Sequence, residues 1–210
     1  MALIDNIHFL GHASFLIKGE KNIMIDPFKL TTTEKADILL ISHEHYDHCS
    51  PEDIEKVIKD STIIVTVPGN QSKIASYADK VADIKLVKPH DTIEIEEIKI
   101  EAVPAYNTNK DFHPKDNEWV GFILTIDNET LYFSADTDLI EEMNNLTCDI
   151  AILPVSGTYV MTAEEAAEAS KIIKPKIAIP MHYGDIVGSI DDANKFKELC
   201  DCEVRILDKE

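Results

Sequence analysis

One segment restricts the folds open to this chain more than any other: a continuous apolar run followed at once by a cluster of histidines. Residues 36–42 (ADILLIS) have the composition of a strand that is buried on both faces of a sheet. Residues 43–48 (HEHYDH) come next, and Ser50, Pro51 and Asp53 then form a typical helix start. The sequence therefore predicts that the histidine cluster occupies a strand-to-helix loop, where α/β proteins commonly place their chemistry.

The histidine cluster is a predicted metal site. His43 and His45 are two residues apart, so on an extended segment both rings point to the same side. Asp47 and His48 add a carboxylate and a third imidazole, and these donors suit zinc, iron or manganese. Four such side chains fit two neighbouring ions more easily than one tetrahedral ion. The alternative is a polar loop with fortuitous histidines, which is disfavoured because three of the chain's 8 histidines lie here.

The rest of the chain predicts one mixed α and β domain over residues 1–210. Short apolar runs and alternating apolar and polar residues indicate further strands at 7–10, 14–17, 22–25, 61–67, 92–104, 119–134, 149–155, 177–180 and 204–207. Helices are indicated around 71–77 and 191–199, and a capping box that begins at Thr162 predicts a helix extending to Lys174.

The pattern His-x-His-x-Asp-His after a buried strand resembles the signature of the metallo-β-lactamase superfamily. Further segments match that family in order along nearly the whole chain: Leu10–Phe15, Asp26-Pro27, Ser134–Asp138 and Pro180–Gly184. The branch that the chain resembles contains ascorbate-6-phosphate lactonase. The resemblance implies an α+β fold that is a four-layer αββα sandwich, the metallo-β-lactamase fold.

The resemblance also implies a role for each ligand. It assigns His43 and His45 to a first metal ion and Asp47, His48 and His182 to a second, with Asp136 bridging the two. It implies two divalent cations, zinc before manganese, nickel or iron, with a hydroxide between them as nucleophile and Asp47 as the catalytic residue that orients it. Two ions about 3.5–4 Å apart lower the pKa of a shared water and polarise the substrate's oxygen, so hydrolysis needs no serine or cysteine nucleophile.

Two positions depart from the family pattern. Asn107 stands where the family supplies a third histidine to the first ion, and His113 lies further along the same loop. We expect the loop to fold back and deliver His113, because an amide oxygen is a weaker ligand for such ions. The alternatives are Asn107 as the ligand, or a first site with only two histidines. Ala135 stands where the family prefers glycine before Asp136, and alanine fits there if its φ is negative.

Four other polar residues have open roles. His12 either contacts the site or its substrate, or is a structural histidine. Asp26 either orients a metal ligand or belongs to a plain Asp-Pro turn. Lys110 and Lys115 either receive an anionic group of the substrate or are solvated loop lysines.

Composition limits the partners. Lys and Arg number 20 against 39 Asp and Glu, a formal charge of −19, which disfavours nucleic acid. The sequence shows no secretory signal and no apolar run near the roughly 20 residues that span a bilayer, and the 4 cysteines are too few for a disulfide framework. We therefore expect a cytoplasmic enzyme without membrane contact.

The predicted reaction is hydrolysis of a small, possibly anionic metabolite: an ester, a lactone or a phosphoester. Two alternatives stay open, namely an iron-dependent oxidoreductase on the same fold and a non-catalytic metal-binding domain. Fold alone does not choose among these functions.

Overall fold

The computed structural model describes residues 2–210, which divide into two compact units. The first unit contains the residues up to Lys88 together with Asp208–Glu210, and the second contains Pro89–Leu207. Each unit is built on one β-sheet with its own helices, which confirms the predicted α+β class. The single domain over residues 1–210 stays a prediction.

The sheet of the first unit has six strands that lie side by side in chain order. They are β1 (Ile7–Gly11), β2 (Ser14–Ile17), β3 (Ile23–Ile25), β4 (Ile38–Ile41), β5 (Ile63–Thr66) and β6 (Asp83–Leu86). Neighbours from β1 to β3 are antiparallel, and neighbours from β3 to β6 are parallel. The predicted apolar strand thus lies inside the sheet as β4, whose four residues are all buried.

Helices connect the parallel strands of this unit. Helix α1 (Pro51–Val57) follows β4 and begins as predicted, with the Ser50 side chain accepting a hydrogen bond from the Asp53 backbone. The helix predicted over 71–77 is one α-helical turn, α2 (Gln71–Ile74), followed by a 3-10 turn over Ala75–Tyr77. Strand β6 was not predicted, because its side chains are exposed or half-exposed and carry no apolar pattern.

The sheet of the second unit has seven strands in the order β13-β12-β11-β10-β9-β8-β7. They are β7 (Thr92–Ile95), β8 (Ile98–Pro104), β9 (Val120–Ile126), β10 (Glu129–Phe133), β11 (Ile150–Pro154), β12 (Ile177–Met181) and β13 (Glu203–Val204). Neighbours from β7 to β10 are antiparallel, and neighbours from β10 to β13 are parallel.

Two longer helices belong to the second unit. Helix α3 (Ala163–Ile173) starts with the predicted capping box, in which Thr162 and Glu165 bond each other's backbone N–H groups. Its alanines form the buried face, and it packs against α4 (Ile190–Leu199) and β11. Fully buried aromatic side chains, among them Phe122, Tyr132 and Phe196, complete the core of this unit.

No helix within residues 2–210 combines the length and the apolar character that crossing a bilayer requires. The four cysteines, Cys49, Cys148, Cys200 and Cys202, are free thiols.

Candidate metal centre

The histidine cluster of the first unit lies beyond the carboxyl ends of parallel strands. Asp26 directly follows β3, and Ser42 and His43 directly follow β4. Because β3 and β4 run parallel, these ends meet at one edge of the sheet. The loop that carries the cluster then enters α1 through its Ser50 cap, so both ends of the loop are held by regular structure.

A buried carboxylate, that of Asp26, orients the ring of His48 directly and that of His43 through Ser42. Its oxygens accept hydrogen bonds from the Ser42 backbone N–H at 2.8 Å and from Ser42 Oγ at 2.6 Å. The same carboxylate lies 2.8 Å from His48 Nδ1, which must donate because a carboxylate has no proton to give. His43 Nδ1 lies 2.9 Å from Ser42 Oγ and donates to it, since the hydroxyl proton is already directed at Asp26.

These contacts select one tautomer for both rings. With the proton on Nδ1, the lone pair of His43 and of His48 is on Nε2, which is the arrangement that metal-binding histidines adopt when a neighbouring group holds Nδ1. Burial raises the pKa of the Asp26 carboxyl, and the charge and hydrogen bond of His48 act in the opposite direction. Asp26 is therefore more than a turn residue, because it holds the ring of a predicted ligand.

The distances between predicted ligands fit a shared ion. His43 Nε2 lies 3.1 Å from His45 Nδ1. Metal bonds of about 2.0–2.1 Å in a tetrahedral site place neighbouring ligand atoms about 3.3 Å apart. An oxygen of the supporting residue Asp26 and ring nitrogens of the predicted ligands His43 and His48 also lie within 4.8 Å of one another. The donor set of imidazole and carboxylate suits zinc, manganese, nickel or iron.

His12 contacts the predicted catalytic carboxylate. Its Nε2 lies 2.9 Å from Asp47 Oδ2, and the His12 side chain is fully buried. The same Asp47 oxygen lies 3.7 Å from His48 Nε2. His12 therefore positions Asp47 within the first unit, which answers the question that its sequence context left open.

The second unit brings its three predicted ligands together at the edge of its own sheet. Asp136 follows β10 and His182 follows β12, with β11 between them and all three strands parallel. His182 Nε2 lies 3.1 Å from Asp136 Oδ2, and His113 Nε2 lies 3.2 Å from the same oxygen. One carboxylate oxygen at ligand spacing from two imidazole nitrogens is the geometry expected of a bridging aspartate.

The loop between β8 and β9 folds back as the sequence analysis predicted, and this places His113 beside Asp136. The Asn107 backbone N–H donates to the His113 carbonyl at 2.8 Å, and Asn107 Oδ1 accepts from the His113 backbone N–H at 2.9 Å. Asn107 Oδ1 also lies 3.1 Å from His113 Nδ1. The amide oxygen is thus directed at His113, and the ligand role of His113 itself stays a prediction.

The negative φ that would let alanine fit readily at position 135 is not observed. The φ of Ala135 is +56°, in the left-handed region that alanine adopts only at a cost of about 1–2 kcal/mol. The sharp turn after β10 imposes this conformation on Ala135, directly before Asp136. His12, Asp26 and His182 also have positive φ values, of 55°, 44° and 59°.

The end of β10 lies close to β9 because position 121 is a glycine. A Cβ at Gly121 would lie 2.5 Å from the Phe133 carbonyl oxygen and 2.8 Å from that of Ser134. Only glycine therefore lets β9 approach the end of β10, from which the turn to Asp136 starts.

The two loop lysines are engaged by acidic side chains. Lys110 Nζ lies 2.6 Å from Asp138 Oδ1, and Lys115 Nζ lies 2.9 Å from Glu142 Oε1. Hydrogen bonds to Tyr106 and Glu142 raise the pKa of Lys115. The Lys110 side chain is largely buried at 15% exposure, whereas that of Lys115 is 62% exposed and solvated. Because both charges are paired, neither lysine supports an anionic substrate.

Sequence reasoning missed several residues that hold the ligands. Ser42 could have been suspected, because it directly precedes the cluster. Ser156, whose Oγ lies 3.0 Å from His182 Nδ1, follows β11 and could have been found from the parallel strand order. Asp138 bonds a loop that is remote in sequence, and only the folded chain reveals that contact.

Comparisons with known proteins identify the family of the chain. The family model described as "Beta-lactamase superfamily domain" matches residues 6–182. A UPF0173 metal-dependent hydrolase of Pyrococcus abyssi is 30% identical, with 96% of this chain and 94% of that protein aligned. A UPF0173 metal-dependent hydrolase of Pelotomaculum thermopropionicum is 33% identical, with 96% of each chain aligned.

Solved structures give the same result. A Parabacteroides distasonis protein described as a metal-dependent hydrolase superposes with a TM-score of 0.85 at 37% identity, over 97% of this chain and 93% of that chain. Igni18, a metallo hydrolase from Ignicoccus hospitalis, has a TM-score of 0.77 at 21% identity over 97% and 94%, and supports the fold alone. The predicted metallo-β-lactamase fold is confirmed, whereas the ascorbate-6-phosphate lactonase branch stays a prediction. This chain belongs to the metallo-β-lactamase superfamily and is a metal-dependent hydrolase.

Proposed function

We propose that the enzyme hydrolyses a small ester, lactone or phosphoester by means of two divalent metal ions, with zinc the metal that fits best. The proposed ligands are those that the family resemblance implies: one set, His43, His45 and His113, for the first ion and a second set, Asp47, His48 and His182, for the second ion, with Asp136 in both. The order of these residues along the chain, which resembles that of the family, is the reason for this assignment.

One observation carries the proposal: the predicted ligand atoms within each unit lie at the spacing of atoms that share a cation. His113 Nε2 and His182 Nε2 lie 3.2 and 3.1 Å from Asp136 Oδ2. The Asn107 amide oxygen lies 3.1 Å from His113 Nδ1, so a neutral His113 carries its lone pair on Nε2, and a cation bound there would be shared with the Asp136 carboxylate. All three residues are buried, since His113, Asp136 and His182 are 1%, 3% and 1% exposed.

The residues of this chain have distinct parts in the reaction. Bound ions would lower the pKa of a shared water and polarise the oxygen of the scissile bond. Asp47 would accept a hydrogen bond from that water and orient it, and its own carboxylate is held by His12 at 2.9 Å. Asp26, Ser42, Asn107 and Ser156 keep the histidine rings in place, so that the ligands need little reorganisation.

The substrate is proposed to be a small molecule rather than a nucleic acid, because a formal charge of −19 repels phosphate backbones. The sequence predicts an anionic metabolite as the substrate. Lys110 and Lys115 do not support this prediction, because their charges are paired. A cytoplasmic location is likewise proposed from the sequence alone.

The test is the metal stoichiometry of the purified protein, measured by elemental analysis beside His113→Ala and Asp136→Ala. We expect two ions in the wild type and loss of at least one in each variant. Asp201→Ala, at an exposed aspartate of the same unit, is the control and should keep both ions. One tightly bound iron would favour the oxidoreductase alternative, and no bound metal after supplementation would overturn the catalytic proposal.

A substrate screen on the same purified protein tests the proposed range of substrates. Lactones, aryl esters and phosphodiesters are offered with and without a chelator. We expect hydrolysis of at least one class that is lost with the chelator and restored by zinc or manganese. A metal-loaded enzyme that hydrolyses none of the three classes would overturn the proposed substrate range but not the metal site.

A further inference from the structure

A second buried carboxylate, that of Asp138, lies two positions beyond Asp136 and has no part in the chemistry proposed above. It is 1% exposed. Its oxygens accept hydrogen bonds from the loop that carries His113: Asn107 Nδ2 at 3.1 Å, Thr108 N at 2.8 Å, Thr108 Oγ1 at 3.5 Å, Asn109 N at 3.3 Å and Lys110 Nζ at 2.6 Å. A side chain with so many bonds to one loop determines the shape of that loop.

The Asn107 amide can adopt only one orientation in these surroundings. Its Nδ2 donates to Asp138 Oδ1 at 3.1 Å and to the Tyr159 carbonyl at 2.9 Å, so both amide hydrogens are used. A flipped amide would direct its oxygen at a carboxylate and a carbonyl, and its hydrogens at the backbone N–H of His113. Asn107 Oδ1 must therefore point toward His113.

This orientation sets the tautomer of His113. An amide oxygen can only accept, so His113 Nδ1, 3.1 Å away, must carry the proton. The lone pair of the ring is then on Nε2, which lies 3.2 Å from Asp136 Oδ2. The chain of contacts runs from Asp138 through Asn107 to the predicted metal-binding nitrogen.

We propose that Asp138, acting through Asn107, is a positioning residue that fixes the tautomer and the ring orientation of His113 for metal binding. The inference rests on the proposed function, since it takes His113 to be a metal ligand. Lys110, whose side chain is 15% exposed, balances the buried charge of Asp138. These contacts hold the loop that carries His113 as rigidly as a strand would hold a metal ligand.

The test uses the full-length protein loaded with Co²⁺, which reports its ligands by spectroscopy. Affinity for Co²⁺ is measured by competition with a chelator, and the exchangeable Nδ1–H protons of the ligand histidines are followed by paramagnetic NMR. Asn107→Ala removes the acceptor of His113. We expect Co²⁺ affinity to fall about 10- to 100-fold and one Nδ1–H resonance to be lost to solvent exchange.

Two single variants and their combination separate positioning from general stability. Asn107→Asp keeps an acceptor for His113 but places a second carboxylate against Asp138. Asp138→Asn replaces one carboxylate oxygen by an NH2 group, so the side chain can no longer accept both from Asn107 Nδ2 and from the backbone N–H groups of Thr108 and Asn109. Each single variant should weaken Co²⁺ binding about 10-fold or more. In the double variant, the amide at position 138 can donate to the carboxylate at position 107. It should therefore bind Co²⁺ more tightly than Asn107→Asp and regain the Nδ1–H resonance of His113.

Asp149→Asn is the matched control within the same unit. Asp149 also accepts from a backbone N–H and a hydroxyl, those of Thr130, and it pairs with Lys176 at 2.7 Å. We expect this control to alter stability only, with the Co²⁺ spectrum and affinity unchanged.

Two outcomes would overturn the inference in distinguishable ways. If the wild type binds Co²⁺ while Asn107→Ala keeps its affinity within about twofold and all its resonances, Asn107 does not position His113 and the proposed function stands. If Asn107→Ala fails to fold, a double variant that binds no better than Asn107→Asp contradicts the inference. A wild type that binds no Co²⁺ overturns the proposed function itself.

Discussion

The two units present their predicted ligands in different ways. In the first unit the ligands lie on one loop between β4 and α1. In the second unit they come from three loops: His113 lies between β8 and β9, Asp136 follows β10, and His182 follows β12. A contiguous cluster requires one loop to be held in place, whereas a dispersed cluster depends on sheet register and on contacts between remote segments.

The units also hold their histidine rings with different partners. In the first unit the partner of His48 Nδ1 is the carboxylate of Asp26 at 2.8 Å, and the partner of His43 Nδ1 is the Ser42 hydroxyl, which itself donates to Asp26. In the second unit the partners are neutral: the Asn107 amide for His113 and the Ser156 hydroxyl for His182. Hydrogen bonds to charged groups contribute about 1.5–3 kcal/mol, and neutral ones about 0.5–1.5 kcal/mol. The first cluster should therefore depend more strongly on its supporting residue.

The largest expected effect is that of Asp26→Ala. It removes the acceptor of His48 Nδ1 and of two Ser42 donors at a residue with φ +44°. We expect zinc affinity to fall about 10- to 100-fold and the free energy of unfolding of the metal-free protein to fall by about 3 kcal/mol.

Ser156→Ala removes one neutral hydrogen bond and should lower the free energy of unfolding of the metal-free protein by about 1 kcal/mol. Chelator competition and urea unfolding measure both quantities.

The control for this comparison is Asp37→Ala in the first unit, whose carboxylate accepts from Asn22 N at 2.9 Å and pairs with Lys59. It should leave zinc affinity unchanged. Equal losses of affinity for Asp26→Ala and Ser156→Ala would contradict the contrast between a charged and a neutral support.

Gly121→Ala should disturb the second cluster selectively. The new Cβ would lie 2.5 Å from the Phe133 carbonyl oxygen, so β9 and the end of β10 must separate. We expect a loss of about 1–3 kcal/mol in the free energy of unfolding and weaker binding of the ion that Asp136 and His182 are proposed to hold. Gly19→Ala in the first unit is the control, since its nearest contact would be an ordinary 3.6 Å. Unchanged metal content in Gly121→Ala would show that the register of β9 and β10 does not control Asp136.

Acid should lower the free energy of unfolding of the metal-free protein by protonating one carboxylate in each unit. Although burial opposes it, hydrogen bonds from Ser50 and Lys56 lower the pKa of Asp53 in the first unit. The hydrogen bond from Lys176 lowers the pKa of Asp149 in the second. A lowered folded-state pKa means that the unfolded chain binds the proton more readily. This stability is therefore present above the ordinary aspartate pKa of 3.8 and is lost as the pH falls through the folded pKa.

Urea unfolding of the metal-free protein at pH 5 and pH 3 checks this prediction. Asp53→Asn and Asp149→Asn should each reduce the loss of stability between the two pH values relative to the wild type. A variant that loses as much stability as the wild type over this range would show that its carboxylate is not a source of acid sensitivity.

The smallest expected effect is that of Ala135→Gly. Glycine adopts a φ of +56° without the left-handed penalty but loses more freedom on folding, so we expect a gain of up to about 1 kcal/mol in the free energy of unfolding. Lys174→Gly, at a helix C-cap with φ +57°, is a matched control remote from the ligand loops. Thermal unfolding measures both, and a loss of stability in Ala135→Gly alone would mean that the alanine methyl packs more favourably than its backbone is strained.

Much of the first cluster could be predicted from the sequence, because its causes are local. The apolar run of β4, the Ser50 cap of α1 and the ligands between them are adjacent in the chain, and each follows from short-range rules of burial and capping. The capping box at Thr162 was predictable for the same reason. Strand β6 escaped prediction because an exposed edge strand carries no apolar signal.

The sequence by itself thus determined the donor types, their order and the loop that holds the first cluster. The tertiary structure decided the support of His48 by Asp26, the left-handed φ of Ala135 and the contact of Asp138 with the Asn107 loop. The physical reason is distance along the chain. The two contacts join residues that are far apart in sequence, so no periodicity or composition predicts them, and only the pairing of strands brings them within hydrogen-bond distance. The φ of Ala135 likewise depends on the turn that the folded chain makes after β10.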